Sequence, residues 1–138
     1  MRFKGSIYVR WADLDQFGHV NNANYLTFIQ EVRADFIWYS RIKRGVEPII
    51  PDMVVAKAEM DYLIPIYDSG FDLDVEIWVS KIGNASFELS YELTSEKGLH
   101  ARAKTVQVAV DMETKKSRRI TPHEKELLAE YYEEPEVK

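Results

Sequence analysis

From about Asn22 to Arg44 the chain carries a long, unusually apolar helical repeat, and four strand-like segments follow it with no second helix between them. That order constrains the fold more than any other feature. Tyr25, Phe28, Ile29, Val32, Phe36, Ile37 and Tyr39 recur at the spacing of one helical face. Leu26, Trp38 and Ile42 fall outside that stripe, so the helix is expected to be buried on more than one side. Asn21 or Asn22 offers a side-chain acceptor to the free N–H groups at its start. Arg41, Lys43 and Arg44 suit the negative end of its dipole, and Gly45 suits the left-handed exit.

Residues 3–11 alternate, with Phe3, Ile7, Val9 and Trp11 on one face, and read as a half-buried strand. The later strands are expected at 53–62, 71–81, 86–95 and 100–111. In the first of these Val54, Ala56, Ala58, Met60 and Tyr62 share a face; in the last, the pattern breaks near Lys104. Strands that succeed one another without crossover helices pair antiparallel. Thr121-Pro122 opens a short helix to about Tyr132, and the acidic tail from Glu133 is expected to fray. The expectation is an α+β fold: one antiparallel sheet of about five strands wrapped around one long central helix, with 1–138 a single domain.

Composition narrows the chemistry. The 138 residues include no cysteine, which excludes a thiol nucleophile, a thiolate metal site and a disulfide scaffold. A net charge of -5 argues against nucleic acid as a partner. No apolar run approaches the length of a membrane span, and no apolar leader follows Met1, so no membrane partner and a cytoplasmic location are expected. There is no G-x-S-x-G elbow and no phosphate loop. His123-Glu124 lacks the second histidine of a metalloprotease helix, because Leu127 stands there. Asp13, Asp15 and Gly18 begin like a calcium loop, but Phe17 and Asn24 cannot supply the charge, so no metal site is expected. His100 and His123 read as exposed residues without partners.

The dense polar run Asp13-Leu14-Asp15-Gln16-Phe17-Gly18-His19-Val20-Asn21-Asn22 remains, placed immediately before the apolar helix. Free N–H groups at a helix start can hold a developing oxyanion. A carboxylate folded back toward them can attack a carbonyl or orient the attacking water. A carboxylate is a weak nucleophile, so a reactive acyl group such as a thioester is the fitting substrate. Its thiolate leaving group needs little protonation.

At these residues the chain resembles the hotdog-fold thioesterases, specifically the small acyl-CoA hydrolases of the 4-hydroxybenzoyl-CoA thioesterase type. The resemblance runs from about Phe3 to Pro122 and is sharpest in Asp-x-Asp-x-x-Gly-His-Val-Asn-Asn-x-x-Tyr, Asp13 to Tyr25, with support from Ala58 to Pro65. It implies hydrolysis of an acyl-CoA to an acid and free coenzyme A. No cofactor is implied, since coenzyme A is part of the substrate. Asp15 takes the catalytic aspartate position and the backbone N–H of Asn22 the oxyanion position. His19 matches a functional histidine of related acyl-carrier-protein thioesterases, whose asparagine is replaced here by Phe17. Tyr25, on the apolar face of the helix, reads first as core and second as a candidate wall of the acyl pocket. Phe28, Tyr62 and Trp78 are read either as pocket wall or as core. Some relatives hold the nucleotide with basic residues just before the Ser-Phe of the fourth strand; here Ser86 and nearby Lys81 are the candidates. The Lys115–Arg119 cluster is a further place for phosphates, and Glu31 a less favoured catalytic carboxylate. The fold also implies a homodimer or a dimer of dimers. An acyl-carrier-protein substrate and a non-catalytic acyl-thioester-binding role are the alternatives.

Overall fold

The computed structural model describes residues 1–135. Five strands form one antiparallel sheet in the order β1-β3-β4-β5-β2, built from β1 (Phe3–Val9), β2 (Met53–Tyr62), β3 (Phe71–Ile82), β4 (Ser86–Ser95) and β5 (Gly98–Ala109). The long helix lies in its concave face. It begins as α1 (Asn22–Ala34), widens into one π-helical stretch at Asp35–Tyr39, and ends as α2 (Ser40–Lys43). The widening has a local cause: Ser40 Oγ donates to the Asp35 carbonyl, and the Ile37 carbonyl turns to accept from the Ile49 N–H. A short α3 (Pro122–Ala129) closes one end, with Thr121 and Glu124 forming a reciprocal cap.

Leu73, Val75, Ile77 and Val79 of β3 and Phe87, Leu89, Tyr91 and Leu93 of β4 meet Phe28, Ile29, Val32, Phe36 and Ile37 of the helix. This core sits over β1, β3 and β4. Gly5 lets β1 approach closely: a Cβ there would lie 2.8 Å from Val32 Cγ1. β2, the far edge strand, is not covered. The residues it sets opposite the buried ones of β5 are Met53, Val55, Ala58, Met60 and Tyr62, and Val55 and Tyr62 are 44% and 49% exposed.

Several expectations change. β1 ends at Val9, where Arg10 turns to pair with Asp13, so Trp11 swings out to 84% exposure instead of joining the core. A bulge between Val55 and Lys57 shifts the β2 face by one, putting Val55, not Val54 and Ala56, in line with Ala58. β5 has no break at Lys104: Thr105 and Gln107 continue the buried face that apolar residues were expected to hold, Thr105 bonding to Tyr91 and Gln107 Nε2 to Thr105. Leu26, Tyr39 and Ile42 are exposed, so within one chain the helix is buried on one side only. α3 ends at Ala129, short of Tyr132. The tail does not fray at Glu133. Its N–H bonds to the Val79 carbonyl and its carboxylate to Arg2, which also reaches Glu76 and Glu92 and covers the Trp78 ring. Residues 131–133 thereby continue along β3 where β1 stops; 136–138 lie outside the described residues.

Candidate active site

The polar loop is folded by its own side chains. Asp13, 2% exposed, accepts from the Arg10 backbone N–H and guanidinium, and its carbonyl accepts from Asn21 N and Asn24 Nδ2. Burial pushes the Asp13 carboxyl up, but the Arg10 bonds outweigh burial and hold it below the ordinary range. Leu14 bridges Val20 across the turn at Gly18, whose φ of +79° suits glycine. The Val20 N–H is anchored on the Ile66 carbonyl.

Asp15 is thereby presented at the helix entrance. Its Oδ1 accepts from Phe17 N at 2.8 Å and its Oδ2 from Asn21 Nδ2 at 3.4 Å. Asn21 is the N-cap, its Oδ1 accepting from Ala23 N at 2.9 Å. One asparagine side chain therefore joins the carboxylate to the helix start. Asn22 N–H has no acceptor among the described residues, while Tyr62 Oη donates to the Asn22 carbonyl at 3.0 Å. This places Tyr62 at the mouth, and its ring meets Tyr25 edge-on at 5.1 Å between centroids. Tyr25 is 3% exposed and packs as core, its hydroxyl pushed up by burial.

The His19 ring is not joined to the Asp15 carboxylate by any hydrogen bond among the described residues; the two residues meet through the backbone, the Asp15 N–H donating to the His19 carbonyl at 3.0 Å. Its Nδ1 lies 3.2 Å from the Val20 carbonyl, and its ring sits between Phe17 and Tyr67. Lys81 and Ser86 lie at the opposite end of the sheet. Tyr62 pairs with Ala101, whereas Ser86 pairs with Val108, seven residues and about 23 Å farther along β5. One chain does not bring them to Asp15. Glu31 is on the outer flank of α1, beside Ser6, Asp35 and Lys43. In the basic cluster, Arg118 is committed to a two-point pair with Glu124 at 2.8 Å.

Two polar groupings escaped the sequence. His100 is 2% exposed, its Nε2 2.6 Å from Ser95 Oγ and its Nδ1 2.9 Å from the Ile64 carbonyl; it ties the β4–β5 turn to the segment after β2. Nothing in a one-residue histidine signal reveals this, because both partners come from other segments. His123 is exposed as expected but pairs with Glu47. The second grouping, around Arg33, Tyr91, Thr105 and Gln107, lies under the open β2 face. The described residues hold no group of three His, Cys, Asp or Glu that could bind a metal, and no helix is long and apolar enough to cross a membrane.

A five-stranded antiparallel sheet around one long helix, with a carboxylate held at the helix start, is the hotdog architecture. The model of the thioesterase-like superfamily matches residues 9–130, and the chain belongs to that superfamily. It is 28% identical over 127 residues to the uncharacterized protein YsmA of Bacillus subtilis, covering 91% of this chain and 84% of that one. A predicted thioesterase from Bacillus stearothermophilus superposes with a TM-score of 0.85 over 99% of this chain and 100% of its own, at 23% identity. A Thermus thermophilus thioesterase complexed with coenzyme A and Zn gives a TM-score of 0.75 at 26% identity, covering 93% and 92%.

Proposed function

We propose that the protein is an acyl-CoA thioesterase in which Asp15 attacks the thioester carbonyl or positions the attacking water, and the Asn22 N–H receives the oxyanion. The observation that carries this reading is the Asp15–Asn21 contact, which holds a carboxylate beside a helix start whose first N–H is free. Coenzyme A in the Thermus relative supports the thiol half of the substrate. His19 serves as loop wall between Phe17 and Tyr67 rather than as a partner of Asp15.

The working unit is a homodimer joined along β2, whose unpaired edge and exposed Val54, Val55, Tyr62, Leu63 and Ile64 would be covered by a second copy. Antiparallel pairing of β2 with itself sets the Tyr62 end of one copy beside the Met53 end of the other. It thus brings the second copy's Lys81 and Ser86 toward the first copy's Asp15, supplying the nucleotide-binding half that one chain lacks.

Thiol release is measured over a panel of acyl-CoAs, with Asp15→Ala and Asp15→Asn alongside. The expected result is turnover by the parent and a loss of about 10²–10⁴ in kcat in both variants, with circular dichroism unchanged. A folded Asp15→Ala protein with parental turnover refutes the assignment. Light scattering of a monomer refutes the shared site.

A further inference from the structure

Arg33 is 7% exposed on α1 and forms no ion pair among the described residues. A guanidinium taken out of water is strongly disfavoured unless an anion compensates it, and it cannot discharge by losing a proton. Among the described residues its guanidinium makes one hydrogen bond, from Nη1 to Tyr91 Oη at 3.2 Å. Tyr91 is 1% exposed, and its hydroxyl is 2.6 Å from Thr105 Oγ1. Gln107, fully buried, turns Nε2 to the same Thr105 oxygen and leaves Oε1 without a partner. Turned over, that amide accepts from Thr105 and frees its NH2 instead. In either orientation one polar group of a buried amide is unsatisfied, linked through Thr105 and Tyr91 to a guanidinium that has no anion partner among the described residues.

The network lies beneath the strip between α1 and β2. Because Arg33 reaches Tyr91 on β4, its flank of α1 faces away from β1; Leu26, two turns earlier on that flank, is 44% exposed. The other wall is the uncovered β2 face of Val55, Ala58, Met60 and Tyr62. Beneath that strip on β5 lie Ala101, Ala103, Thr105 and Gln107, all buried within one chain, small near the Tyr62 end and polar at the far end. The strip starts where Tyr62 Oη meets the Asn22 end of the helix. Asn22 to Arg33 is about three turns, or about 16 Å of helix axis, and helical side chains lean back toward the N-terminus by about a turn. The free end of the network is therefore a medium-length acyl chain away from the carbonyl position.

We propose that this network binds the far end of the acyl group, and that this end is a carboxylate. The substrate class is then the coenzyme A monothioester of a medium-chain dicarboxylic acid. The guanidinium supplies the charge and a planar pair of donors suited to a carboxylate. The Gln107 amide, turned with its oxygen on Thr105, supplies a further donor. A plain alkyl end would leave both groups buried and uncompensated, which is how a polar subsite rejects a substrate lacking its complement. This inference rests on the thioesterase reading for the position of the carbonyl, but the anion subsite itself does not.

Two experiments separate them. In the first, kcat/KM is measured for alkanoyl-CoAs and for ω-carboxyalkanoyl-CoAs of matched chain length, with the parent, Arg33→Met and Gln107→Leu. The parent is expected to favour the carboxylated series by about tenfold or more, Arg33→Met to remove that ratio, and Gln107→Leu to reduce it. In the second, the parent and both variants are titrated with free dicarboxylic and monocarboxylic acids by calorimetry, and only the dicarboxylic acid should bind in an Arg33-dependent way. Turnover of both series without preference, or a ratio unchanged in the variants, overturns the inference and leaves the thioesterase intact. Arg33-dependent dicarboxylate binding without turnover of any thioester sustains the subsite and overturns the reaction. If Arg33→Met does not fold, an unchanged ratio in Gln107→Leu is itself refuting. Conversion of Arg33→Met to monomers with the Gln107→Leu ratio unchanged would assign the guanidinium to a carboxylate of the second copy, and overturns the inference too.

Discussion

Replacing Glu124 by glutamine keeps the side chain's shape and removes one charge from the pair that closes α3 onto the sheet. The Glu124 side chain is 10% exposed and that of Arg118 23%. Two bonds of 2.8 Å join them, and Oε1 also accepts from Thr121 N at 2.9 Å. An amide offers one acceptor where the carboxylate used two, so one Arg118 N–H is left facing an NH2. Breaking a fully buried pair costs about 3–5 kcal/mol; partial exposure of Arg118 lowers the expectation to about 2 kcal/mol. At about 2.1 cal/mol/K per residue, the unfolding entropy of 138 residues is about 0.3 kcal/mol/K, so Tm should fall by about 7 °C. The pH dependence checks the cause. Burial pushes the Glu124 carboxyl up, and the bonds from Arg118 and Thr121 outweigh it, leaving it below the ordinary range. Its contribution is present above the unfolded value, about 4.3, and is lost as pH falls through the folded value. Urea unfolding at fixed protein concentration, pH 7 and pH 3, is the assay. A variant as stable as the parent at pH 7, or a deficit that stays constant down to pH 3, refutes the reasoning.

Gly5→Ala should cost about 1–3 kcal/mol, since the new methyl meets the stiff, β-branched Val32 at 2.8 Å; Val32→Ala in the same protein should return part of it, measured as a double-mutant cycle. His123→Ala should lower the urea midpoint below about pH 6 and leave it unchanged at pH 9. The Glu47 hydrogen bond and charge raise the His123 value, so the contribution is full below the unfolded value and disappears as pH rises through the folded one.

The elements whose pattern is set by their own burial were legible in the sequence. The helix start at Asn22, its cap at Asn21, the β2 and β4 boundaries and the Thr121 cap follow from local spacing and capping chemistry. The loop that carries Asp15 was legible for the same reason, since the bonds of its Asp13, Asp15 and Asn21 side chains all lie within Arg10 to Asn24, while the Ile66 and Tyr62 contacts come from afar. What depends on a distant partner was not. The bulge that shifts β2 is a mismatch with β5, and no local signal marks Ala56. Thr105 and Gln107 look like surface residues until Tyr91, paired with Ala103, is placed where its hydroxyl reaches Thr105. The separation of Lys81 and Ser86 from Asp15 follows from strand order, which alternation leaves open.

The clamp of Arg2 on Glu133 brings the second residue of the chain within 2.8 Å of a residue five from its end. Residues 2 and 133 are neighbours beside β3, so a short linker joining them could close that stretch of backbone into a ring with little loop-closure entropy to overcome. The tight turn between Ser95 and Gly98 is then a natural place to reopen it. A permuted chain of that kind would begin with β5 and finish with β4. It would keep every ladder of the sheet while converting its most local strand pair into its most distant one, a direct way to ask whether the β4–β5 hairpin leads folding.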